Sequence, residues 1–360
     1  MDSLLRIAAS MSRPDRASPA ADTRTVSVRA PARLHLGFLD PAGSLGRPWG
    51  SLGLVIDGVD TEVTIRCAAR DAFEARDASM AARLERVRGH VEALRRHTGR
   101  REPIHLRLLR LSPAHAGFGS GTQLALAVGR AFMRCHRLEA GSADIARWLG
   151  RGLRSGVGIA GFDQGGLLVD AGPGADGLPA PLIARVALPE DWRIVLALDA
   201  RRQGLAGDDE RRALSLLPPL PRAAAADLCH QVLMRVLPGA ATAAFAPFAE
   251  GITELQRRLG EHFAPAQGGR SYTSDAVGRL MAWIGAACGS SGAAIGQSSW
   301  GPTGFAVLPS QAEADAVVAA ARTAGALDAS LDVRIVRALN HGALVLEEAR
   351  PAGPHCAVAP

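Results

Sequence analysis

The stretch Pro113-Ala-His-Ala-Gly117-Phe-Gly119-Ser120-Gly121-Thr122 lies between a segment with strand periodicity and a segment with helix periodicity. Upstream, Ile104, Leu106 and Leu108 alternate with polar residues, and downstream apolar residues recur at helical spacing. Three glycines in five residues let successive backbone N–H groups turn toward one point. The helix that follows adds its unpaired amides and the positive end of its dipole. The order of strand, glycine loop and helix therefore predicts a cradle for an anion, most simply a phosphate.

Two hydroxyl side chains, Ser120 and Thr122, stand at the start of the predicted helix. Either could bind phosphate or magnesium, and either could equally cap the helix. The spacing differs from the P-loop, which needs Gly-Lys-Ser/Thr, and from the dinucleotide fingerprint, which needs an acidic residue about 20 positions further on. Because the glycines have no other predicted packing role, we expect this loop to bind substrate through Gly117, Gly119, Ser120, Gly121 and Thr122.

The length of 360 residues indicates one large domain or two coupled domains, and 48% hydrophobic residues can bury a sizeable core. No window approaches the roughly 18 to 20 uninterrupted apolar residues of a membrane span, and the first 24 residues lack a continuous apolar signal core. We therefore expect a cytoplasmic protein with no membrane partner. Residues 1–24 are rich in Ser, Arg, Pro and Ala, and 349–360 contain three prolines, so both segments are predicted to be disordered tails.

The chain contains no lysine, which excludes Schiff-base and lysine-nucleophile chemistry, including that of pyridoxal enzymes. Its five cysteines form no C-x-x-C pair and no cluster with histidines, so neither a disulfide framework nor a zinc site is predicted. The formal charge is +6, but the arginines are scattered and only 4% of residues are aromatic, which argues against a nucleic-acid partner. A small polyanionic substrate fits this charge better, because arginine can bind phosphate in a bidentate manner.

A strand with clean alternation runs from Thr25 to Phe38 and carries two candidate binding residues. Arg33 and His35 are two positions apart and share one face, about 7 Å apart along the chain. They could present a cation and an imidazole to a ligand, or they could only face water.

Two further glycine-rich segments hold polar side chains. The first, Arg151 to Gly166, contains six glycines and encloses three candidate residues, Arg154, Ser155 and Asp163. Its alternative interpretation is an ordinary flexible connector. The second is bounded by Gly296 and Gly304 and predicts a second anion or substrate loop, with candidates Gln297, Ser298, Ser299 and Trp300.

The proline-rich segment Pro173 to Pro189 is the best candidate for a domain boundary. We predict an N-terminal domain over 25–185, which contains the glycine loop, and a C-terminal domain over 186–348. A strand pair, Val333 to Val336 and Ala343 to Glu347, is expected to close the second domain. The mixture of strands and helices indicates an α+β protein.

Five motifs recur together over about residues 25 to 347: Arg33-Leu-His35-Leu-Gly37, Gly119-Ser-Gly-Thr-Gln123-Leu-Ala, Gly150-Arg-Gly-Leu-Arg154-Ser-Gly-Val-Gly, Gly204-Leu-x-Gly-x-x-Glu210 and Gly296-Gln-Ser-Ser-Trp-Gly-Pro-Thr303. Their order resembles the GHMP kinase superfamily, and more narrowly the β-ribofuranosylaminobenzene 5′-phosphate synthase family. The last motif is the most specific, because kinases of the superfamily do not usually show it. The resemblance implies an α+β, GHMP-kinase-like two-domain fold, with a ribosomal-protein-S5-like N-terminal half and a ferredoxin-like C-terminal half.

The resemblance also implies a reaction, the condensation of 5-phospho-α-D-ribose 1-diphosphate (the donor) with a 4-substituted benzoate (the acceptor). Diphosphate and carbon dioxide leave, in the pathway to tetrahydromethanopterin. Such a step needs a leaving group neutralised by Mg²⁺ and hydrogen-bond donors, and an electron-rich ring carbon held about 3 to 3.5 Å from the sugar centre. Similar enzymes are dimers, so a homodimer is expected.

Roles for the candidate residues follow from this chemistry and from the family pattern. Arg33, His35 and Arg154 are expected to bind the phosphates and the carboxylate of the substrates, with Arg33 and His35 in the catalytic centre. Asp163 is expected to hold Mg²⁺ together with Ser120, or to face the positive sugar centre. It is not expected to act as a base, because decarboxylation removes carbon dioxide and no proton from the ring carbon.

Two other functions remain open at this point. A small-molecule kinase of the superfamily would use the same loop for ATP and Asp163 as a base. A non-catalytic member of the fold would only bind a ligand. The sequence also leaves open whether the acceptor is 4-aminobenzoate or 4-hydroxybenzoate.

Overall fold

A computed structural model describes residues 24–174, 177–205, 207–289 and 292–348. The predicted tails, 1–24 and 349–360, therefore lie outside the described residues except for Arg24. Helices and strands are mixed along the chain, as expected for an α+β protein. No helix within the described ranges is both long enough and apolar enough to cross a membrane.

The strands of the described ranges form two sheets. They are β1 (Thr25–Asp40), β2 (Trp49–Cys67), β3 (Ala72–Ala75), β4 (Ile104–Arg110), β5 (Leu167–Asp170), β6 (Leu182–Val186), β7 (Arg193–Asp199), β8 (Ala294–Gln297), β9 (Thr303–Leu308), β10 (Leu331–Val336) and β11 (Leu344–Glu348).

The α-helices of the described ranges are α1 (Ala78–Ala81), α2 (Leu84–Thr98), α3 (Ser120–Cys135), α4 (Ser142–Trp148), α5 (Val157–Gln164), α6 (Gly207–Leu216), α7 (Arg222–Gln231), α8 (Leu237–Ala241), α9 (Phe245–Phe263), α10 (Asp275–Cys288) and α11 (Gln311–Thr323). A π-helical turn, Val232–Val236, joins α7 to α8, and a 3₁₀ turn, Ala264–Gln267, follows α9.

The first sheet has the strand order β11-β1-β2-β4-β3, with β5 paired to β2 and β6 paired to β5. Alternation along β1 buries Val26, Val28, Leu34 and Leu36 on its inner face, as the sequence predicts. The long β2 serves two partners, since its first part pairs with β5 and its last part with β4. Helix α3 packs against β1 and β2.

The second sheet has the order β10-β7-β9-β8 and is antiparallel throughout. The two closing strands are present, but the expectation that they pair with each other is wrong. Strand β10 pairs with β7, whereas β11 returns to the first sheet and pairs with β1 from Thr25 to Arg29. The segment 186–348 therefore contributes strands to both sheets, because the exposed edge of β1 offers β11 a free hydrogen-bonding partner.

The two halves share one apolar core. A single cluster of buried side chains contains Leu34 and Leu54 from the first sheet, Phe305 from the second, and Phe248 and Leu255 from α9. Complete burial of each such side chain contributes about 1.5 to 3 kcal/mol. The glycine loop and the loop after β8 are held in fixed contact by hydrogen bonds, and most of the candidate residues lie around them.

The glycine-rich segment after α4 is not a loop over its whole length. Residues Val157–Gln164 form α5, which packs against β2. A Cβ at Gly161 would lie 2.8 Å from Val55, and a Cβ at Gly158 would lie 3.3 Å from Thr122. These two glycines thus allow close packing of a helix.

Candidate active site

The glycine loop joins β4 to α3, so the predicted order of strand, loop and helix is confirmed. Gly119 immediately precedes α3 with φ of +69°, a left-handed conformation that favours glycine. No side chain caps this helix. The capping alternative for Ser120 and Thr122 is therefore wrong, and within the described ranges both hydroxyls are without a hydrogen-bond partner.

Donors from the second half of the chain hold three successive carbonyls of the loop. His115 accepts from Gly204 N at 2.9 Å, Ala116 from Thr303 Oγ1 at 2.6 Å, and Gly117 from Ser298 Oγ at 2.7 Å. With its carbonyls occupied on one side, the loop leaves the N–H groups of Gly119, Ser120 and Gly121 without an acceptor among the described residues. These amides begin α3, where the helix dipole favours an anion. We call them, with the loop, the cradle.

The glycines of the cradle also have packing roles, contrary to the expectation from sequence. A Cβ at Gly117 would lie 2.4 Å from the carbonyl oxygen of Ser298. A Cβ at Gly119 would lie 3.1 Å from the Arg33 guanidinium carbon. Glycine is therefore required at both positions because neighbouring groups approach the backbone closely.

Arg33 lies against the cradle. Its Nη1 donates to the Gly117 carbonyl at 3.1 Å, while its buried Nε has no partner within the described ranges. Burial lowers the Arg33 pKa to about 10, and the carboxylates of Glu210 and Asp170 oppose that shift. The guanidinium therefore stays charged at neutral pH and has an unused donor beside the free amides.

His35 is buried, with only 3% of its surface exposed. Its backbone N–H donates to Ser298 Oγ at 2.9 Å, and its ring Nε2 has no partner among the described residues. Burial, followed by the charges of Arg33 and Arg154, holds the His35 pKa well below its ordinary value. A neutral imidazole can still form a hydrogen bond with a phosphate or carboxylate oxygen, so the expected binding role of His35 stays a prediction.

Arg154 is the third cationic candidate. A chain of ring contacts links it to His35, since its guanidinium lies over Trp49, Trp49 contacts Phe38 and Phe38 contacts His35. Its Nη2 bonds Glu210 at 2.5 Å, while the buried Nη1 is unpaired within the described residues. The Arg154 guanidinium carbon also lies 5.9 Å from the centre of the Trp49 ring, within cation–π range. Glu210 thus orients the guanidinium and leaves one of its nitrogens for a ligand.

Ser155 does not face a ligand in this arrangement. Its hydroxyl bonds the buried Asp170 at 3.2 Å and Ser51 Oγ at 2.7 Å. Asp170 also accepts the backbone N–H groups of Gly156 at 2.7 Å and Val157 at 3.1 Å. This carboxylate fixes the start of α5, and Ser155 is part of that anchor.

The second loop, from Gln297 to Trp300, contacts the cradle, a contact that the sequence did not predict. Ser298 contacts Gly117, and Ser299 N donates to the His35 carbonyl at 3.0 Å. Gln297 is occupied within the loop, since its Nε2 donates to the Ser299 carbonyl at 2.8 Å. Trp300 is buried. Ser298 and Ser299 therefore connect the second loop to the glycine loop and to β1.

Comparison with known proteins supports the architecture and identifies the family. The family model described as the GHMP kinases N-terminal domain matches residues 85–166, and the one described as GHMP kinases C-terminal matches 237–327. A β-ribofuranosylphenol 5′-phosphate synthase from Archaeoglobus fulgidus is 32% identical over 297 residues, covering 79% of this chain and 88% of that protein. The enzyme of the same name from Methanothermobacter thermautotrophicus is 30% identical, covering 78% and 88%. The chain belongs to the β-ribofuranosylphenol 5′-phosphate synthase family.

Solved structures show that this family shares the GHMP kinase fold. A mevalonate diphosphate decarboxylase from Staphylococcus aureus superposes with a TM-score of 0.63 at 14% identity, covering 90% of this chain and 98% of that one. A homoserine kinase from Cytophaga hutchinsonii superposes with a TM-score of 0.61 at 16% identity, covering 93% and 100%. Identities this low establish the two-domain fold alone.

Asp163 lies apart from the residues around the cradle. It is exposed near the C-terminal end of α5, where it accepts a 2.6 Å hydrogen bond from Ser142 and lies 3.9 Å from Arg130. It is six positions after Val157, the first residue of α5, which places it about 9 Å further along the helix axis. This position gives no support to the predicted catalytic and metal roles.

Sequence reasoning missed two residues near the cradle. Arg151 approaches Gly121, with guanidinium atoms 3.6 to 3.9 Å from the point where a Cβ would stand, and its buried Nε is unpaired within the described residues. Tyr272 lies in a pocket beside His35. Arg151 belongs to a recognised motif and could have been chosen, whereas Tyr272 carries no local signal.

Proposed function

We propose that the protein condenses 5-phospho-α-D-ribose 1-diphosphate with a 4-substituted benzoate and releases diphosphate and carbon dioxide. In these terms it is a decarboxylating phosphoribosyltransferase. The relatives are named for ribofuranosylphenol 5′-phosphate, a product whose ring carries a hydroxyl group. That name favours 4-hydroxybenzoate over 4-aminobenzoate as the acceptor.

The observation that carries this proposal is the cradle itself. Three N–H groups at the start of α3 lack acceptors within the described ranges, and the buried, charged Arg33 lies against them with its Nε unpaired. Leaving a buried polar group unpaired costs about 1 to 3 kcal/mol, and more when the group is charged. A phosphate group placed there would satisfy these donors together.

The arrangement of charge fits a diphosphate leaving group. Arg33, Arg151 and Arg154 each have a buried guanidinium nitrogen without a partner among the described residues. When the bond between ribose C1 and the diphosphate oxygen breaks, the electron pair stays on diphosphate. Fixed donors stabilise that developing charge without reorganising, which is the way electrostatic catalysis lowers a barrier.

The bond changes balance without a protein base. Carbon C1 of the ribose forms a bond to the ring carbon that carries the carboxylate, and the 4-hydroxyl oxygen donates electron density to the ring. The bond to the carboxylate then breaks, its electron pair restores the aromatic ring, and carbon dioxide departs. The protein supplies binding, orientation and the donors that hold diphosphate.

Carboxylates around the cradle argue against the kinase alternative. Asp170 is buried and occupied by backbone amides and by the hydroxyls of Ser51 and Ser155, and Glu210 is paired with Arg154. Asp163 lies at the other end of α5. None of these three side chains is free beside the cradle to accept a proton from a substrate hydroxyl, as a phosphoryl-transfer site of that kind needs.

Magnesium remains part of the proposal. No group of three or more His, Cys, Asp or Glu side chains in the described ranges could hold a metal ion, so the chain offers no cage of its own. The free hydroxyl of Ser120 fits Mg²⁺ that arrives bound to the diphosphate, since Mg²⁺ is often held mainly by substrate phosphates. The ion would neutralise part of the leaving-group charge. We also propose that the protein is a homodimer and is cytoplasmic. Light scattering of the purified protein tests the dimer.

The decisive experiment measures diphosphate release from 5-phospho-α-D-ribose 1-diphosphate with 4-hydroxybenzoate or 4-aminobenzoate, alongside ATP consumption with small alcohols. We expect diphosphate and carbon dioxide in equal amounts with a benzoate and no ATP consumption. Arg33→Gln should lower kcat/KM for the donor at least a hundredfold, because a charged contact in a desolvated site is lost.

The matched control is Arg29→Gln, four positions earlier on the same strand. The Arg29 side chain is exposed and pairs with Asp60. This variant should keep kcat/KM within about twofold of wild type. ATP-dependent phosphorylation without diphosphate release from the ribose donor would overturn the proposed function.

A further inference from the structure

A pocket opens next to the cradle and is connected to it through His35. The end of β1, the C-terminal half of α9 and the second loop form its walls, and it encloses about 490 Å³ of empty space counted out to its open mouth. His35 belongs to both sites, since it lines the pocket and bonds the serine that holds the cradle.

The walls of this pocket are aromatic. Phe38, Phe263, Tyr272 and Trp300 line it in a chain with only 4% aromatic residues, and Tyr272 is the single tyrosine. The Phe263 and Trp300 rings lie 4.8 Å apart, and the His35 and Phe38 rings lie 4.6 Å apart. An aromatic surface of this kind favours a planar ring as the ligand.

The polar groups of the pocket divide into two sets. The glutamine amides are mutually occupied: Gln297 N donates to Gln256 Oε1 at 2.8 Å, and Gln297 Nε2 donates to Gln267 Oε1 at 3.1 Å. By contrast, the Tyr272 hydroxyl and His35 Nε2 make no hydrogen bond within the described ranges. Burial raises the pKa of Tyr272 to about 12, so the hydroxyl keeps its proton and can donate it.

No Arg, Asp or Glu side chain is among the residues that line the pocket. The cations lie on the cradle side of His35 instead. An anionic phosphate is therefore favoured in the cradle, while an uncharged or singly charged aromatic molecule is favoured in the pocket. The two ligands would meet beside His35, where ribose C1 and the ring carbon must come into contact for the new bond to form.

We propose that this pocket is the acceptor subsite, where an aromatic acid binds with its ring against the aromatic surface of Phe38, Phe263 and Trp300 and its polar substituents near Tyr272 and His35. The assignment rests on the proposed function, and it adds the place of the second substrate. It also bears on the chemistry. A benzoate carboxylate without a cationic partner loses its charge when carbon dioxide leaves, so an uncharged pocket favours that step over retention of the carboxylate.

The test compares two variants that alter the pocket alone. Tyr272→Phe removes one hydroxyl and keeps the ring, and Phe263→Leu removes one aromatic face. Loss of a single neutral hydrogen bond corresponds to roughly a fivefold effect, so we expect the acceptor KM to rise about three- to tenfold in each variant. The donor KM should remain within about twofold. Arg154→Gln is the matched variant on the cradle side, and there the donor KM should rise instead.

A binding measurement gives a readout that does not depend on turnover. Calorimetric titration of 4-hydroxybenzoate, with and without inorganic diphosphate, should show one binding site. Its affinity should fall about three- to tenfold in Tyr272→Phe and in Phe263→Leu, as the acceptor KM does. Quenching of tryptophan fluorescence by the acid should be lost in Trp300→Phe. Circular dichroism and thermal unfolding confirm that each variant is folded.

The outcomes separate the two proposals. Absence of binding in wild type, or unchanged acceptor affinity and acceptor KM in both pocket variants, would overturn the acceptor subsite while diphosphate release still supports the proposed function. Binding that weakens as expected, without diphosphate release from the ribose donor, would support the subsite for an aromatic acid and overturn the proposed reaction.

Discussion

Ser298 Oγ donates a 2.7 Å hydrogen bond to the carbonyl of Gly117, which lies 181 residues earlier in the chain. The same oxygen accepts the backbone N–H of His35 at 2.9 Å. One hydroxyl thus holds the glycine loop, strand β1 and the second loop in a fixed arrangement. His35, which this serine holds, lines the aromatic pocket, so the hydrogen bonds of Ser298 help to place the two proposed substrates relative to each other.

Ser298→Ala should therefore affect activity more than stability. Removing the hydroxyl leaves the Gly117 carbonyl and the His35 amide without this partner, at a cost of about 1 to 3 kcal/mol in the free energy of unfolding. A shift of the loops misplaces the reacting atoms, and we expect kcat to fall at least tenfold. Urea unfolding and steady-state kinetics measure the two effects.

Ser310→Ala is the control for stability. Ser310 caps α11 through the Glu313 amide, far from the cradle, and its loss costs about 1 kcal/mol. The control should unfold more easily yet retain wild-type kcat. If both variants lost activity in proportion to their stability, the positioning role of Ser298 would be refuted.

Glycine substitutions in the cradle should differ sharply in effect. Gly119 has φ of +69° and its Cβ position lies 3.1 Å from Arg33, whereas Gly121 is helical and its nearest neighbour there lies 3.6 Å away. Gly119→Ala should cost about 1 to 2 kcal/mol and displace Arg33, raising the donor KM at least tenfold. Gly121→Ala keeps the N–H group in place. It should raise the donor KM by a factor at least five times smaller than the factor for Gly119→Ala. Equal effects in the two variants would contradict the geometry.

Local sequence patterns predicted the cradle because every part of it is local. Alternation specifies β4, helical periodicity specifies α3, and the three glycines between them have little alternative but a tight turn. The same locality made the strand face with Arg33 and His35 recognisable. Strand β4, the glycine loop and α3 are consecutive in the chain, so their spatial relationship follows from local backbone geometry. The same holds for Arg33 and His35 within β1.

Two features could not be predicted in this way. Asp163 shares a glycine-rich segment with Arg154, but six of the intervening residues turn out to be helical, and the helix carries its carboxylate away from the cradle. The pocket brings Phe38 together with Phe263 and Tyr272. More than 200 residues separate Phe38 from the other two, so no short stretch of sequence contains this pattern. Tertiary packing decides both features.

The stability of the protein should fall as the pH is lowered through the histidine range. Burial, and then the charges of Arg151 and Arg86, lower the pKa of His90 to about 4. Below a pH of about 6.5 the unfolded chain binds a proton at this residue that the folded chain does not bind, so the free energy of unfolding decreases by up to about 1.4 kcal/mol per pH unit until pH reaches about 4.

His90→Gln should flatten this dependence between pH 6.5 and 4, as measured by urea unfolding at several pH values. The slope will not vanish, because His35, His115, His136 and His262 also have pKa values lowered by burial. A wild-type slope in His90→Gln would show that this histidine is not protected from protons by the fold.

Asp163 and Asp170 provide the sharpest test of the site, because they are seven residues apart and have opposite environments. Asp163 is exposed and bonds Ser142, whereas Asp170 is fully buried and accepts the N–H groups of Gly156, Val157 and Gly172. Asp163→Asn removes a charge that is remote from the cradle, so kcat and the Mg²⁺ dependence of the rate should change less than about threefold. Asp170→Asn puts an amide NH₂ group among buried donors, and we expect a loss of about 3 kcal/mol or more in the free energy of unfolding.

These outcomes discriminate between positions and not merely between residue types. If Asp163→Asn lowered kcat by orders of magnitude and changed the Mg²⁺ response, the carboxylate would have to reach the substrates, and the position described for α5 could not represent the active protein. If Asp170→Asn were as stable as wild type, its hydrogen bonds would not anchor the start of α5. If Asp163→Asn kept wild-type activity and Asp170→Asn lost stability, neither carboxylate would act on the substrates. The arginines and the N–H groups of α3 would then be the groups that stabilise diphosphate, as the electrostatic mechanism requires.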